Sequence, residues 1–393
     1  MIIAPANRLA DVKEYYFARK LREIRSRLAS GEAIINLGIG NPDMMPSEET
    51  IKELVARAVE PGNHGYQPYK GIPQLREAFA RWYLDTYGVT LDPETDILPL
   101  MGSKEGIMHI SLAFLNPGDQ VLVPNPGYPT YSSIARLTGA EIVYYDLTDD
   151  HGWLPDLEAL AQQDLSRVKL MWINYPHMPT GTLAPVELLT QLVAFARQHS
   201  ILLCHDNPYS LVLNPEPRSI FSVPGAEEVA IELNSLSKSH NMAGWRIGMV
   251  CGHRDYVNTI LKVKSNMDSG MFMPLQAAAV KALSNSYQWH HRRNEVYAER
   301  RELAYRLLDA ISCTYAPGQA GMFVWARIPD SALSGEALSE WLLNEASVFL
   351  APGFIFGSNG ERFIRISLCA PTRQMALALE RVENLTVSVV SEQ

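Results

Sequence analysis

The sequence predicts an α/β fold: a three-layer α/β/α large domain with a mostly parallel sheet, and a smaller α+β domain after it. Three observations predict this. Between Ile97 and Cys251 short extended runs recur, and several are apolar throughout rather than alternating, as strands covered on both faces by helices are. Loops or stretches of helical spacing follow each run, the alternation that builds a parallel sheet. Beyond residue 288 the order changes to a long charged helical stretch and a short mixed set of strands and helices.

Composition sets the outer bounds. A chain of 393 residues has room for two or three domains and a substantial core. With 47% hydrophobic and 20% charged residues it falls among globular proteins rather than disordered ones. A net charge of −9 excludes the broad basic face that a nucleic-acid partner needs. No segment is long enough to cross a bilayer, and the apolar run at the amino terminus is too short for a signal peptide. Cys204, Cys251, Cys313 and Cys369 are far apart with no Cys-x-x-Cys pair, which points to free thiols in a reducing compartment, and so to the cytoplasm. Small-molecule chemistry is the class that remains.

In chain order, Leu9 to Leu28 carries apolar positions at helical spacing and predicts an amino-terminal arm, residues 1–46, that completes the small domain. In Ile34 to Asn41 the pair Gly38-x-Gly40 hints at a dinucleotide fingerprint, but the third glycine is missing and Pro42 interrupts the following helix, so a Rossmann dehydrogenase is rejected. The large domain follows, residues 47–288. Ser47 caps a helix to about Val59, with Glu48 and Glu49 in its first turn. A loop, Gly65 to Gly71, leads to a helix from about Ile72 to Tyr87 that stops at Gly88. Strands are predicted at Ile97–Met101, Gln120–Pro124, Glu141–Asp146, Val168–Asn174, Ile201–His205, Val229–Leu233 and Trp245–Cys251. The small domain, residues 289–393, takes a helix over His290–Leu308, a strand Met322–Ile328, a helix Gly335–Ala346, strands Val348–Ala351 and Arg362–Leu368, and a helix from Pro371.

The chemistry gathers around Asn234 to Gly248, which places Lys238 on a turn between two strands, with Ser235 and Ser237 before it and Arg246 after it. Hydroxyls and a guanidinium together supply donors to a dianion, and a lysine beside a phosphate site points to pyridoxal phosphate. A solvated turn is the alternative for Ser-Lys-Ser alone, and the upstream segments weigh against it. Gly102-Ser103-Lys104 begins a helix after a strand, where free N–H groups face an anion. Asp206 ends an apolar strand, the place where such sheets bind ligands, and a carboxylate there keeps a pyridine nitrogen protonated. Arg365 is a charge within an apolar strand and demands an anionic partner. No metal-ligand set is legible.

Together these segments resemble fold-type-I pyridoxal-phosphate aminotransferases, the aspartate aminotransferase superfamily (class I/II), from Ile35 to Leu368, and are most similar to its diaminopimelate-aminotransferase-like branch. The resemblance implies that Lys238 carries the cofactor and acts as general base. By the same resemblance Tyr128, in Pro126-Gly127-Tyr128-Pro129-Thr130-Tyr131, stacks on the pyridine ring, and Asn174 and Tyr209 donate to its phenolate oxygen. Gly38 lies over the substrate, Arg365 grips the α-carboxylate, and Tyr66 reaches the phosphate of a neighbouring subunit in a homodimer with shared active sites. The implied reaction is ping-pong transfer of an amino group between an L-amino acid and a 2-oxo acid. A carbon–sulfur β-lyase of the same fold is the alternative, and a non-catalytic pyridoxal-phosphate-sensing regulator a more distant one. The branch places a glutamate for a distal ammonium where this chain has Tyr69 beside Lys70, which leaves acidic, aromatic and sulfur-containing donors open.

Overall fold

The computed structural model describes residues 3–9 and 16–391, with side chains in the last helix described up to residue 385. Among the described residues the strands are β1 (Ile35–Asn36), β2 (Ile97–Leu100), β3 (Gln120–Asn125), β4 (Glu141–Asp146), β5 (Val168–Ile173), β6 (Leu202–Asp206), β7 (Ala230–Ser235), β8 (Gly248–Gly252), β9 (Phe323–Arg327), β10 (Val348–Phe349), β11 (Ala351–Pro352) and β12 (Phe363–Ser367). Seven of them form the central sheet in the order β2-β8-β7-β6-β5-β3-β4. Its pairs from β7 through β4 are parallel, while β8 runs antiparallel to both of its neighbours.

The apolar runs explain the layering. Along β5, Leu170 and Trp172 pack with Ile107, Ile110 and Ile260 of the helices Ser103–Phe114 and Arg254–Lys264, whereas Met171 and Ile173 pack with Leu189, Leu192 and Val193 of the helix Val186–His199. Successive side chains point to opposite faces, so a strand apolar throughout feeds two cores. Each such side chain contributes about 1.5–3 kcal/mol when fully buried. The helices end where the sequence marks them. Ser47 Oγ accepts from the Thr50 N–H at 3.3 Å, Pro73 opens the helix Pro73–Tyr87, and Gly88 closes it at φ 68°, a left-handed conformation that glycine adopts without strain.

A second sheet, β11-β12-β9, is antiparallel, and its Val324 and Ile366 join the core that also holds Leu122 and Met171 of the central sheet. Parallel pairing of β1 with β10 ties the amino-terminal segment to the carboxy-terminal part.

Several expectations shift. Only Tyr16–Ala29 of the first expected helix is seen as a helix, and positions 10–15 lie outside the described residues. Lys238 is not on an open turn but inside a four-residue helix, Leu236–Ser239, in which Ser235 Oγ accepts from the Ser237 N–H at 3.1 Å. The strand expected from Trp245 starts at Gly248, because Ala243–Trp245 is a 3₁₀ turn and Arg246, at φ 58°, turns the chain back along the sheet. The run Val348–Ala351 splits into β10 and β11, which pair with different strands. Beyond Tyr128 lies a helix, Pro129–Thr138, rather than a loop alone.

Candidate active site

The parallel strands deliver their last residues to one rim. Asp206 ends β6, Asn174 follows β5, Ser235 ends β7, Gly102 lies between β2 and the helix that Ser103 opens, and Tyr128 follows β3. A cavity of about 670 Å3 opens there, lined by Ser103, Lys104, Tyr128, Asn174, Asp206, Tyr209, Ser235, Ser237, Lys238 and Arg246, and on its far side by Gly38 and Arg365. These residues span more than three hundred sequence positions. The structure thus brings together nearly all the residues singled out in the sequence. Tyr66 and Tyr69 stay apart, on the surface loop Gly65–Gly71, at 93% and 46% exposure.

Each group is held by named partners. Lys238 Nζ donates to the Gly40 carbonyl at 2.6 Å. Burial pushes its pKa down, and Arg365 and Arg246 act in the same direction against Cys369. Asp206 is buried, and burial pushes its carboxyl up to about 6 even though the Tyr131 hydroxyl, donating at 2.9 Å, pulls the other way. Asn174 Nδ2 donates to the Asp206 carbonyl at 2.5 Å, and its Oδ1 accepts from the Met178 N–H at 2.8 Å. Only one of its two amide N–H groups is needed for that bond.

Across the cavity the Arg365 guanidinium lies 3.8 Å from the Phe323 ring and 4.5 Å from the Phe356 ring, and Nη2 donates to the Gly38 carbonyl at 2.7 Å. Burial brings its pKa down to about 10. Burial also raises the Tyr209 hydroxyl, against a lowering by Arg365. At the other end Ser235 Oγ and Ser237 Oγ are 2.9 Å apart, and Arg246 reaches Ser237 Oγ at 3.4 Å and the Met101 carbonyl at 3.2 Å. Gly102 has φ 86°, and a Cβ there would stand 2.2 Å from Arg246 Nη2. Only glycine lets the backbone and the guanidinium share that corner.

Pyridoxal phosphate fits these residues on three counts. Asp206 Oδ1 is buried without a well-formed hydrogen bond, and Ser103 Oγ is buried likewise beside it, so both are open to a ligand. Arg365 Nε is likewise buried and unpartnered, as a carboxylate grip requires. The donor set at Ser103, Ser235, Ser237 and Arg246 suits a dianion.

Sequence reading missed several contributors. Tyr131, stacked on Trp172 with centroids 5.0 Å apart, is the hydroxyl that reaches Asp206. Its signal was its place three residues after Tyr128, one helical turn inward. Phe17, Ala18 and Leu21 of the amino-terminal helix, with Phe323 and Phe356, form an apolar wall. Nothing local marks these, since long-range packing selects them. Elsewhere, Glu105, His109 and Asp268 each bring a ligand atom within 4.8 Å of one another. The buried Lys264 ammonium, 2.7 Å from Asp268, already supplies positive charge there.

Comparison with known proteins identifies the family. The family model described as aminotransferase class I and II matches residues 32–382. An LL-diaminopimelate aminotransferase of Moorella thermoacetica is 40% identical over 382 residues, covering 97% of this chain and 98% of that protein. One from Dehalococcoides mccartyi is 38% identical over 381 residues, covering 96% and 98%. Among solved structures, substrate-bound BacF from Bacillus subtilis superposes with a TM-score of 0.93 at 34% identity, over 98% of each chain. A probable N-succinyldiaminopimelate aminotransferase from Thermus thermophilus gives 0.86 at 33%, over 94% of this chain and 99% of that one. The chain belongs to the class I and II aminotransferases, a family whose transamination depends on pyridoxal phosphate.

Proposed function

We propose that the cavity between Asp206 and Arg365 is the site at which this aminotransferase moves an amino group from an L-amino acid to a 2-oxo acid in two half-reactions, with Lys238 as the residue that would hold the cofactor. One observation carries the assignment: Lys238, Asp206 and Arg365 line one cavity although they come from three separate parts of the chain. When bound, pyridoxal phosphate supplies an electrophilic carbonyl and a ring that withdraws electrons from the substrate Cα.

The chain's own groups do the rest. Asp206 holds the proton on the pyridine nitrogen. Ser103, Ser235, Ser237 and Arg246, with the N–H groups after Gly102 and the Lys104 ammonium, hold the phosphate. Tyr128 covers the ring face, and Tyr209 and the second Asn174 N–H donate to the ring oxygen. Arg365 takes the substrate α-carboxylate beside Gly38. Lys238 carries the cofactor at rest. Once free, its Nζ, whose pKa burial lowers, removes the proton from the substrate Cα, and in the second half-reaction it delivers one to the Cα of the new amino acid.

The site reading extends to assembly. A tyrosine exposed at 93% on a glycine-bounded loop suits a second copy of the chain, so Tyr66 and Tyr69 act across a homodimer interface in the partner's site. The chain divides at about residues 46 and 288 into arm, large domain and small domain. Its four cysteines are buried and free, which accords with a cytoplasmic setting, and no helix is long and apolar enough to cross a membrane among the described residues.

A single-turnover experiment tests the reaction. With one amino donor and no acceptor, the protein should release one equivalent of 2-oxo acid per site and change the absorbance of its bound cofactor, and added oxo acid should restore it. Continuous ammonia release without an acceptor would establish β-elimination instead. Lys238→Ala should abolish turnover, and a variant that kept the original rate would sink the assignment.

A further inference from the structure

We infer that the substrates of this site carry apolar or aromatic side chains rather than a second charge. The inference rests on the transamination reading and narrows it. Its first support is an inventory of charge. Of the described residues lining the cavity, the acidic and basic ones are Lys104, Asp206, Lys238, Arg246 and Arg365. Each already has a task at the cofactor or the α-carboxylate. A distal carboxylate or ammonium entering the same cavity would give up its water with no opposite charge left over to meet it.

The second support is the wall itself. Phe17 and Leu21 stand four residues apart on the helix Tyr16–Ala29, hence on one face, and both line the cavity. Ile39, 37% exposed, and Phe356 continue the surface. Phe356 and Phe323 also lie against the Arg365 guanidinium, so the wall begins beside the group that holds the carboxylate. A side chain leaving the Cα of a substrate fixed at Arg365 therefore meets rings and aliphatic groups first. The third support is the loop Gly65–Gly71. Its Lys70 ammonium donates to the Glu94 carbonyl of its own chain at 3.1 Å, while Tyr66, Pro68 and Tyr69 are exposed. Across an interface such a loop adds aromatic surface.

Two measurements on the holoenzyme test this. The first compares kcat/KM in the donor half-reaction for L-phenylalanine, L-leucine and L-methionine with L-glutamate, L-aspartate and LL-diaminopimelate. Accommodating even one methylene is worth about 10–200-fold, so the best apolar donor should exceed every charged one by at least about tenfold. The second compares binding of two unreactive acids by calorimetry, with 3-phenylpropionate expected at least about tenfold tighter than glutarate. Leu21→Arg, on a half-buried helix face, should narrow the phenylalanine-to-glutamate gap by about tenfold or more. A charged donor equal to or better than the best apolar one, or glutarate binding as tightly as 3-phenylpropionate, overturns the inference. If no donor reacts, the transamination reading falls, and the binding comparison still decides the side-chain class.

Discussion

Asp206 is placed for a ligand at the expense of the empty protein, and Asp206→Asn should expose that trade. The carboxyl is 4% exposed; the Tyr131 hydroxyl donates to it at 2.9 Å, the nearby Ser103 hydroxyl acts in the same direction, and Oδ1 lacks a well-formed hydrogen bond. Burial therefore raises its pKa from 3.8 to about 6. The sign follows from linkage. A carboxyl whose pKa is higher folded than unfolded favours the fold fully below pH 3.8, and that advantage is lost as pH rises through about 6. At 1.36 kcal/mol per pH unit, ionising Asp206 costs the cofactor-free protein about 3 kcal/mol at pH 8. Asparagine keeps the shape and can accept from Tyr131 without the charge. Urea unfolding of cofactor-free protein from pH 4.5 to 8.5 should show Asp206→Asn more stable by up to about 3 kcal/mol at the alkaline end, with the gap closing towards pH 4.5. Pyridoxal phosphate titration should move oppositely, weakening by the roughly 1.5–3 kcal/mol of a charged hydrogen bond, about 10- to 150-fold. A variant less stable at every pH, or a gap that does not change with pH, would refute the reasoning.

Gly102→Ala should weaken pyridoxal phosphate binding at least about tenfold in a fluorescence titration, because the new Cβ displaces Arg246 from the corner; φ 86° with ψ 160°, a conformation confined essentially to glycine, should separately cost the fold about 1–3 kcal/mol. Arg365→Lys, a point charge in place of a planar fork, should raise KM about tenfold or more and leave kcat within a few-fold under steady-state assay. Glu232→Ala should cost about 3–5 kcal/mol in urea unfolding, since it strands four buried donors, those of Tyr83, Ser219, Ile220 and His205. Replacing Glu232 and His205 together by leucine should cost less than the sum of the separate changes.

What the sequence shows and hides follows from the range of the forces involved. The strands were legible because a run buried on both faces has to be apolar throughout, as Val168–Ile173 is. Asp206, Lys238 and Arg365 were legible because a charge next to or inside such a run requires a reason. Tyr131 carries no local sign of its task, because its value depends on a bond to a residue 75 positions away. Phe17 and Leu21 read only as the apolar side of a helix, and nothing in their own segment says that this side faces a cavity whose other walls come from as far along the chain as Arg365. The reversal at β8 was illegible for a local reason: it hinges on Arg246 adopting φ 58°, a conformation that no glycine announces.

The buried pair under the site explains how two strands hold their functional ends level. His205 and Glu232 face each other in the register of β6 and β7, 2.6 Å apart, and His205 Nε2 faces the Tyr175 carbonyl at 3.0 Å. The next residue along β6 is Asp206, opposite Leu233, and β7 runs on through Ser235 to Lys238. A slip of one residue between these strands would turn Glu232, which is fully buried, onto the apolar face packed by Leu233 and Ile231, away from its donors. Apolar side chains tolerate such a slip far better than a carboxylate does, because they ask only for volume. The polar pair thus fixes a register that the hydrophobic runs alone leave loose. That register sets the spacing between the carboxylate ending one strand, the hydroxyl ending the next and the amine in the short helix just beyond it.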